Sequence, residues 1–177
     1  AGLPAPETKV NSGGHHNEVE ALLILQYAQA LVAGGVPAED IAVITPYRKQ
    51  ISLLTRLFGA SCSPTMSPHE REDALPSLLS VHSHLKVDTS AVEILTADQS
   101  QGRDKSVILV SLVRSNAQGG VGDLLQDWRR LNVAFTRAQR KLIVVGDTAT
   151  LRRNELLGKF VELMERRDWV VRLGKQV

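Results

Sequence analysis

Hydrophobic positions set the plan of the chain from Asn17 onward. Between Asn17 and Ala33 they fall nearly all round a helical period (Val19, Leu22, Leu23, Ile24, Leu25, Leu31 and Val32), which predicts a largely buried helix. Asn17 can cap its first turn, Glu18 and Glu20 suit the positive end of its dipole, and Gly34-Gly35 followed by Pro37 stops it. Ile41-Ala42-Val43-Ile44 is an unbroken apolar run without alternation, the pattern of a strand buried on both faces of a parallel sheet. Thr45 and Pro46 read as the cap and first position of a second helix, with Ile51, Leu54, Leu57 and Phe58 facing the core.

The pattern fades over residues 59–90, where Ser, Pro, His and charges dominate, and a flexible surface insertion is expected there. It resumes with strands at Val92–Leu95, Val107–Val113 and Lys141–Val145. A helix is predicted from about Asp123 to Ala138, and another from Glu155 to Arg166 with Leu156, Leu157, Phe160, Val161 and Met164 on one stripe. Trp169-Val170-Val171 reads as an edge strand. Residues 1–16, rich in Pro, Gly and His, read as a loop or linker, and His15-His16 has no third ligand nearby to make a metal site.

Strands alternating with helices predict an α/β domain over residues 17–177, a parallel sheet with right-handed crossovers and helices on both faces. Ligands of such sheets sit at the carboxyl ends of the strands. That directs attention to Thr45-Pro46-Tyr47-Arg48, to Thr96–Asp104 and to Arg114-Ser115-Asn116.

Composition changes this picture little. The chain has 177 residues, 43% of them hydrophobic, enough for one sizeable core. Its net charge is only +2, so any basic footprint for a nucleic acid has to be local. A single cysteine, Cys62, excludes a disulfide framework and a cysteine-based cluster within the chain. No apolar run approaches a membrane span. The start, Ala1-Gly2-Leu3, carries no initiator Met and no signal-peptide layout, and the chain is read as a piece of a longer protein.

The chemistry begins with an absence. No Gly-x-x-x-x-Gly-Lys-Ser/Thr phosphate cradle occurs, so the chain alone is expected not to hydrolyse ATP. Gln101-Gly102-Arg103-Asp104 offers a glycine for close backbone approach and a carboxylate that can accept a ribose hydroxyl, but taken alone it is equally a turn. Arg130 and Arg137, seven residues apart, would share one face of the predicted helix. Two guanidiniums there suit phosphate recognition, or form an ordinary solvated basic face.

In order along the chain stand Thr-Pro-Tyr-Arg-Lys-Gln (45–50), Thr-x-Asp-x-x-Gln-Gly-x-Asp (96–104), Val-Arg-Ser-Asn (113–116) and Arg-Arg-Leu-Asn-Val-Ala-x-Thr-Arg-Ala (129–138). Together they resemble motifs IV, V and VI of superfamily 1B helicases of the nonsense-decay-helicase-like group. The resemblance runs from about Asn17 to Val171, interrupted at 59–90. Asp98-x-x-Gln-Gly-Arg-Asp-Lys-Ser106, Leu-Val-Arg-Ser-Asn and the Trp128 before the double Arg are most similar to the eukaryotic DNA replication helicase/nuclease family.

That resemblance implies the second, P-loop-free RecA-like lobe of a two-lobe motor. It implies that Arg137 is an arginine finger reaching the γ-phosphate of ATP-Mg²⁺ held mainly by the first lobe of the same protein. Asp104, with Gln101 and Gly102, would line the nucleotide cleft. Thr96, with Thr45, Tyr47 and Arg48, would contact single-stranded DNA. The family's iron–sulfur nuclease domain would lie upstream, and the nucleus, or the mitochondrion, would be the compartment. An RNA helicase of the nonsense-decay-like group, or a non-catalytic RecA-like nucleic-acid-binding module, are the alternatives.

Overall fold

The computed structural model describes residues 6–9, 14–62 and 87–173. Its centre is a four-stranded, all-parallel sheet formed by β3 (Ile41–Ile44), β4 (Glu93–Leu95), β5 (Lys105–Ser111) and β6 (Ala138–Val145), in the order β4-β3-β5-β6. Two further short strands, β1 (Thr8–Lys9) and β2 (His15–His16), form a separate antiparallel ladder. The segment expected as loop therefore contains regular pairing. The parallel α/β architecture is the RecA-like one expected.

The unbroken apolar run explains the layering. All four residues of β3 are fully buried. Ala42 and Ile44 enter one core, with Ile108 and Val110 of β5; Ile41 and Val43 enter the other, with Val107 and Leu109. Helices α1 (Glu18–Ala33) and α2 (Arg48–Cys62) cover the second core through Ile24, Leu25, Leu54 and Leu57. The first is covered by α4 (Trp128–Phe135) through Leu131 and Ala134 and by α6 (Glu155–Arg166) through Leu157 and Val161. Two shorter helices, α3 (Asp123–Gln126) and α5 (Thr148–Leu151), complete the fold. Fully burying each Leu or Ile stabilises the fold by roughly 1.5–3 kcal/mol before entropy is counted.

Local chemistry explains where elements begin and end. Asn17 caps α1 as expected, accepting from the Glu20 amide at 3.0 Å. Thr45 does not cap α2. Its amide donates to the Leu95 carbonyl at 3.1 Å, its hydroxyl accepts from the Tyr47 amide, and the helix starts at Arg48. Helix α2 then runs through Gly59 to Cys62, so the first residues of the expected insertion are helical; residues 63–86 lie outside the described part.

The helix predicted from Asp123 to Ala138 is two helices. Asp127 breaks it and recaps, accepting from the Arg129 amide at 3.1 Å. The second helix stops at Phe135. Thr136 turns its hydroxyl back to the Asn132 carbonyl, and the Arg137 carbonyl accepts from Lys105 as β6 enters the sheet. Strand β6 thus begins at Ala138, three residues before the prediction. Helix α6 has the predicted bounds, but Leu156 is exposed rather than on the buried stripe. No strand forms at 169–171, where Trp169 and Val171 are exposed.

Candidate nucleotide and nucleic-acid faces

Strand register fixes where the motif residues lie. Leu95 pairs with Ile44, and Ile44 with Val110, so Thr96 leaves the sheet at its carboxyl end. Lys105 pairs with Ala138, so Asp104 and Arg137 sit at the amino end. The segment 96–104 therefore runs the depth of the sheet, roughly 20 Å at the rise of an extended strand. Carboxyl ends alone had been the expected place for chemistry; this fold puts half of the motif residues at the opposite end.

At the amino end, Arg137 Nη1 donates to Asp104 Oδ1 at 2.6 Å. Arg137 Nε donates to the Val133 carbonyl at 3.0 Å, and Nη2 to the Thr136 hydroxyl at 3.2 Å. The guanidinium is thus aimed by the last turn of α4 while its side chain remains 22% exposed. Gln101 and Gly102 are exposed on the turn just before Asp104, and Gly102 takes a positive φ of 74° that favours glycine. A guanidinium that donates beside a carboxylate that accepts fits the phosphate and ribose edges of a nucleotide. The chain has no phosphate cradle, and among the described residues no cluster of His, Cys, Asp or Glu could hold a metal ion. With one cysteine, the chain does not fit an iron–sulfur cluster either.

At the carboxyl end lies a cleft of about 490 Å³. Thr96, Tyr47 and Arg48, expected at a nucleic-acid contact, line it together with Lys49, Asp98 and Arg130. Arg130 and Arg137 were expected on one helical face; they stand at opposite ends of α4 because the helix stops before Arg137. Thr96 shares its hydroxyl with Gln99, donating to Oε1 at 3.1 Å and accepting from the Gln99 amide at 3.2 Å. Thr45 is fully buried and its hydroxyl accepts from the Tyr47 amide, so its expected contact with a strand has no surface to occur on. Tyr47 is buried too. It donates to the Val121 carbonyl at 3.2 Å, and burial pushes its hydroxyl up to about 12. It is a wall of the cleft rather than an exposed contact. Sequence reasoning missed Lys49, whose cue was its place beside Arg48 just after a strand end.

The Val-Arg-Ser-Asn segment follows β5 at the same end. Val113 has φ 68°, a left-handed conformation that a β-branched residue rarely adopts. Two residues flanking the start of α1 hold it there. Glu20 accepts from the Val113 amide at 2.8 Å, and Asn17 Nδ2 donates to the Val113 carbonyl at 3.1 Å. Gln50 of α2 donates to the Asn17 carbonyl and to Ser111, and Ser111 donates to Glu20 at 2.7 Å. Burial pushes the Glu20 carboxyl up to about 7 against these hydrogen bonds. Next along the chain, Arg114 donates to Glu7 at 2.7 Å, and Glu7 also accepts from Ser115 and Asn116. Burial raises Glu7, but these donors outweigh it and hold the carboxyl below the usual range.

Residues 4–149 match a family model described as an AAA domain. Among known proteins, the chain is similar to the DNA replication ATP-dependent helicase/nuclease DNA2 of Xenopus laevis, 40% identical over 159 residues, covering 90% of the chain and 12% of that protein. It is 41% identical over 156 residues to the Mus musculus protein of that name (88% of the chain, 12% of that protein). The Saccharomyces cerevisiae protein of the same name is 39% identical over 159 residues, with shares of 90% and 9%. The chain spans about a tenth of the length of these relatives. With most of its length inside the match and the motif residues gathered at the two ends of one sheet, the chain belongs to this AAA domain family.

Proposed function

We propose that this chain is the second motor lobe of an ATP-dependent DNA helicase, a helicase/nuclease of DNA replication and repair. The observation that carries the reading is the meeting of Arg137 and Asp104, which are 33 residues apart in sequence, at the end of the sheet opposite the basic cleft. Arg137 supplies positive charge to the γ-phosphate of ATP, whose Mg²⁺ and phosphate cradle belong to the first lobe. Asp104 accepts from the ribose, with Gln101 and Gly102 beside it. Thr96 and Arg48 hold the backbone of single-stranded DNA, a grip that is independent of sequence and weakened by salt. In this reading residues 17–177 are the lobe and residues 1–16 its approach. DNA is favoured over RNA by the name these relatives carry, and in this reading the compartment is the nucleus.

The test is Arg137→Ala in the full-length protein. ATP turnover should fall by roughly 10³-fold or more, the scale of a lost arginine finger, while ATP binding remains measurable. The isolated 177-residue chain should show no turnover. Wild-type turnover by the full-length variant would overturn the assignment.

A further inference from the structure

Segment 96–104 and helix α4 both run from the carboxyl end of the sheet to its amino end, and they are tied together at each end by an Arg–Asp pair. Arg137 meets Asp104 at 2.6 Å on the nucleotide side. Arg130 Nε lies 3.5 Å from Asp98 Oδ1 on the cleft side, and 3.7 Å from Asp127 Oδ2. Ala97 of the segment and Leu131 and Ala134 of the helix belong to the same buried core. The helix has eight residues, about 12 Å of stiff rod.

The two ties differ in strength. The Arg137 guanidinium has three hydrogen bonds. The Arg130 guanidinium sits between two carboxylates at ion-pair distance, in a pair whose Asp98 side chain is 70% exposed. Such a solvent-screened pair contributes about 0–1 kcal/mol. A phosphodiester entering the cleft brings two non-bridging oxygens that share one negative charge and can take two parallel N–H donors of a guanidinium, where Asp98 takes only a long contact from Nε.

We infer that Arg130 is a positioning residue that exchanges Asp98 for a nucleic-acid phosphate, and that α4 carries this exchange to Arg137. With the cleft empty, Asp98 holds Arg130 and the helix is tied to segment 96–104 at both ends. With a strand bound, the cleft-side tie opens. The end of the helix next to Arg137 then shifts, and the guanidinium leaves Asp104 for a phosphate. Nucleic-acid stimulation of ATP turnover thus passes through the Asp98–Arg130 exchange. The inference rests on the motor-lobe reading above.

The experiment uses the full-length protein, an unstructured single-stranded DNA oligonucleotide, and ATP turnover with and without it. Arg130→Gln should cut the stimulation ratio about tenfold, the scale of one lost charged contact, with melting unchanged within about 2 °C. Arg130→Lys, which keeps the charge, should recover part of that ratio. Asp98→Asn and Arg130→Gln both open the cleft-side tie, so each should raise turnover without DNA, and only Arg130→Gln should also weaken the response to DNA. The double variant should match Arg130→Gln alone, because the two residues act as one unit. Wild-type stimulation in Arg130→Gln, or simple addition of the two effects, overturns the inference. Arg137→Ala serves as the control. If it retains wild-type turnover, the motor-lobe reading fails; if it is inactive while Arg130→Gln is fully stimulated, the exchange alone fails.

Discussion

Glu20 shows how much one side chain can impose on this fold. Its carboxyl is fully buried, with Oε2 accepting from Ser111 and Val113 and Oε1 without a hydrogen-bond partner. With a folded-state value of about 7 against 4.5, it stays protonated where the unfolded chain ionises. Its contribution is therefore fully present below about pH 4.5 and lost as pH rises through about 7. The displacement corresponds to on the order of 3 kcal/mol. Burial lowers His15, which works in the opposite direction, since stability is lost as that imidazole is protonated at falling pH. Glu20→Gln should remove the Glu20 part alone. Urea unfolding of wild type and variant between pH 4.5 and 8 should give a stability difference that changes steadily across the window. Parallel curves would exclude a raised Glu20.

Elements were legible in the sequence to the extent that their signals were local. The helix at 18–33, the strand at 41–44 and the helix at 155–166 follow from apolar period, caps and glycines within the element itself. The errors arose where a distant partner or a competing local hydrogen bond decided the outcome. Helix α4 ends early because Arg137 must present its carbonyl to Lys105, and Thr45 does not cap α2 because its hydroxyl accepts from the Tyr47 amide, ahead of the helix start at Arg48. Motif residues were legible as types, but their division between two ends of the sheet required the strand register. Gln50 gave no sign in the sequence that it would be buried between α1 and β5.

Helix α1 depends on that same polar cluster. Asn17→Ala removes its cap and leaves the Val113 carbonyl without the Asn17 donor. The loss of a cap costs about 0.5–2 kcal/mol and a buried unsatisfied acceptor about 1–3 kcal/mol. The combined loss should place the urea midpoint well below that of a surface substitution such as Glu155→Ala, whose partner Lys159 is exposed.

At the scale of the whole molecule, the sheet is a partition with different chemistry at its two ends. Arg137 and Asp104 occupy one rim; Thr96, Arg48, Lys49 and Arg130 occupy the other. A single structural layer therefore separates the expected site of ATP chemistry from the expected track of the strand. Of the motif segments, 96–104 and 129–138 reach both rims. The net charge of the chain is only +2, yet three basic side chains, Arg48, Lys49 and Arg130, line one cleft.

Strand order has a consequence for handling the protein. β6 is the outermost strand of the order β4-β3-β5-β6, and among the described residues nothing pairs with its outer edge. It is eight residues long, enough to template another strand. Its first half carries Gln139, Arg140 and Lys141, which discourage edge-to-edge association, whereas Leu142 to Val145 are half-buried and apolar. On its own, the 177-residue chain should self-associate through that second half. Sedimentation at increasing concentration should reveal dimers or larger species, and Val144→Lys should disperse them. A monomer at every concentration would mean that the edge is guarded by something other than β6 itself.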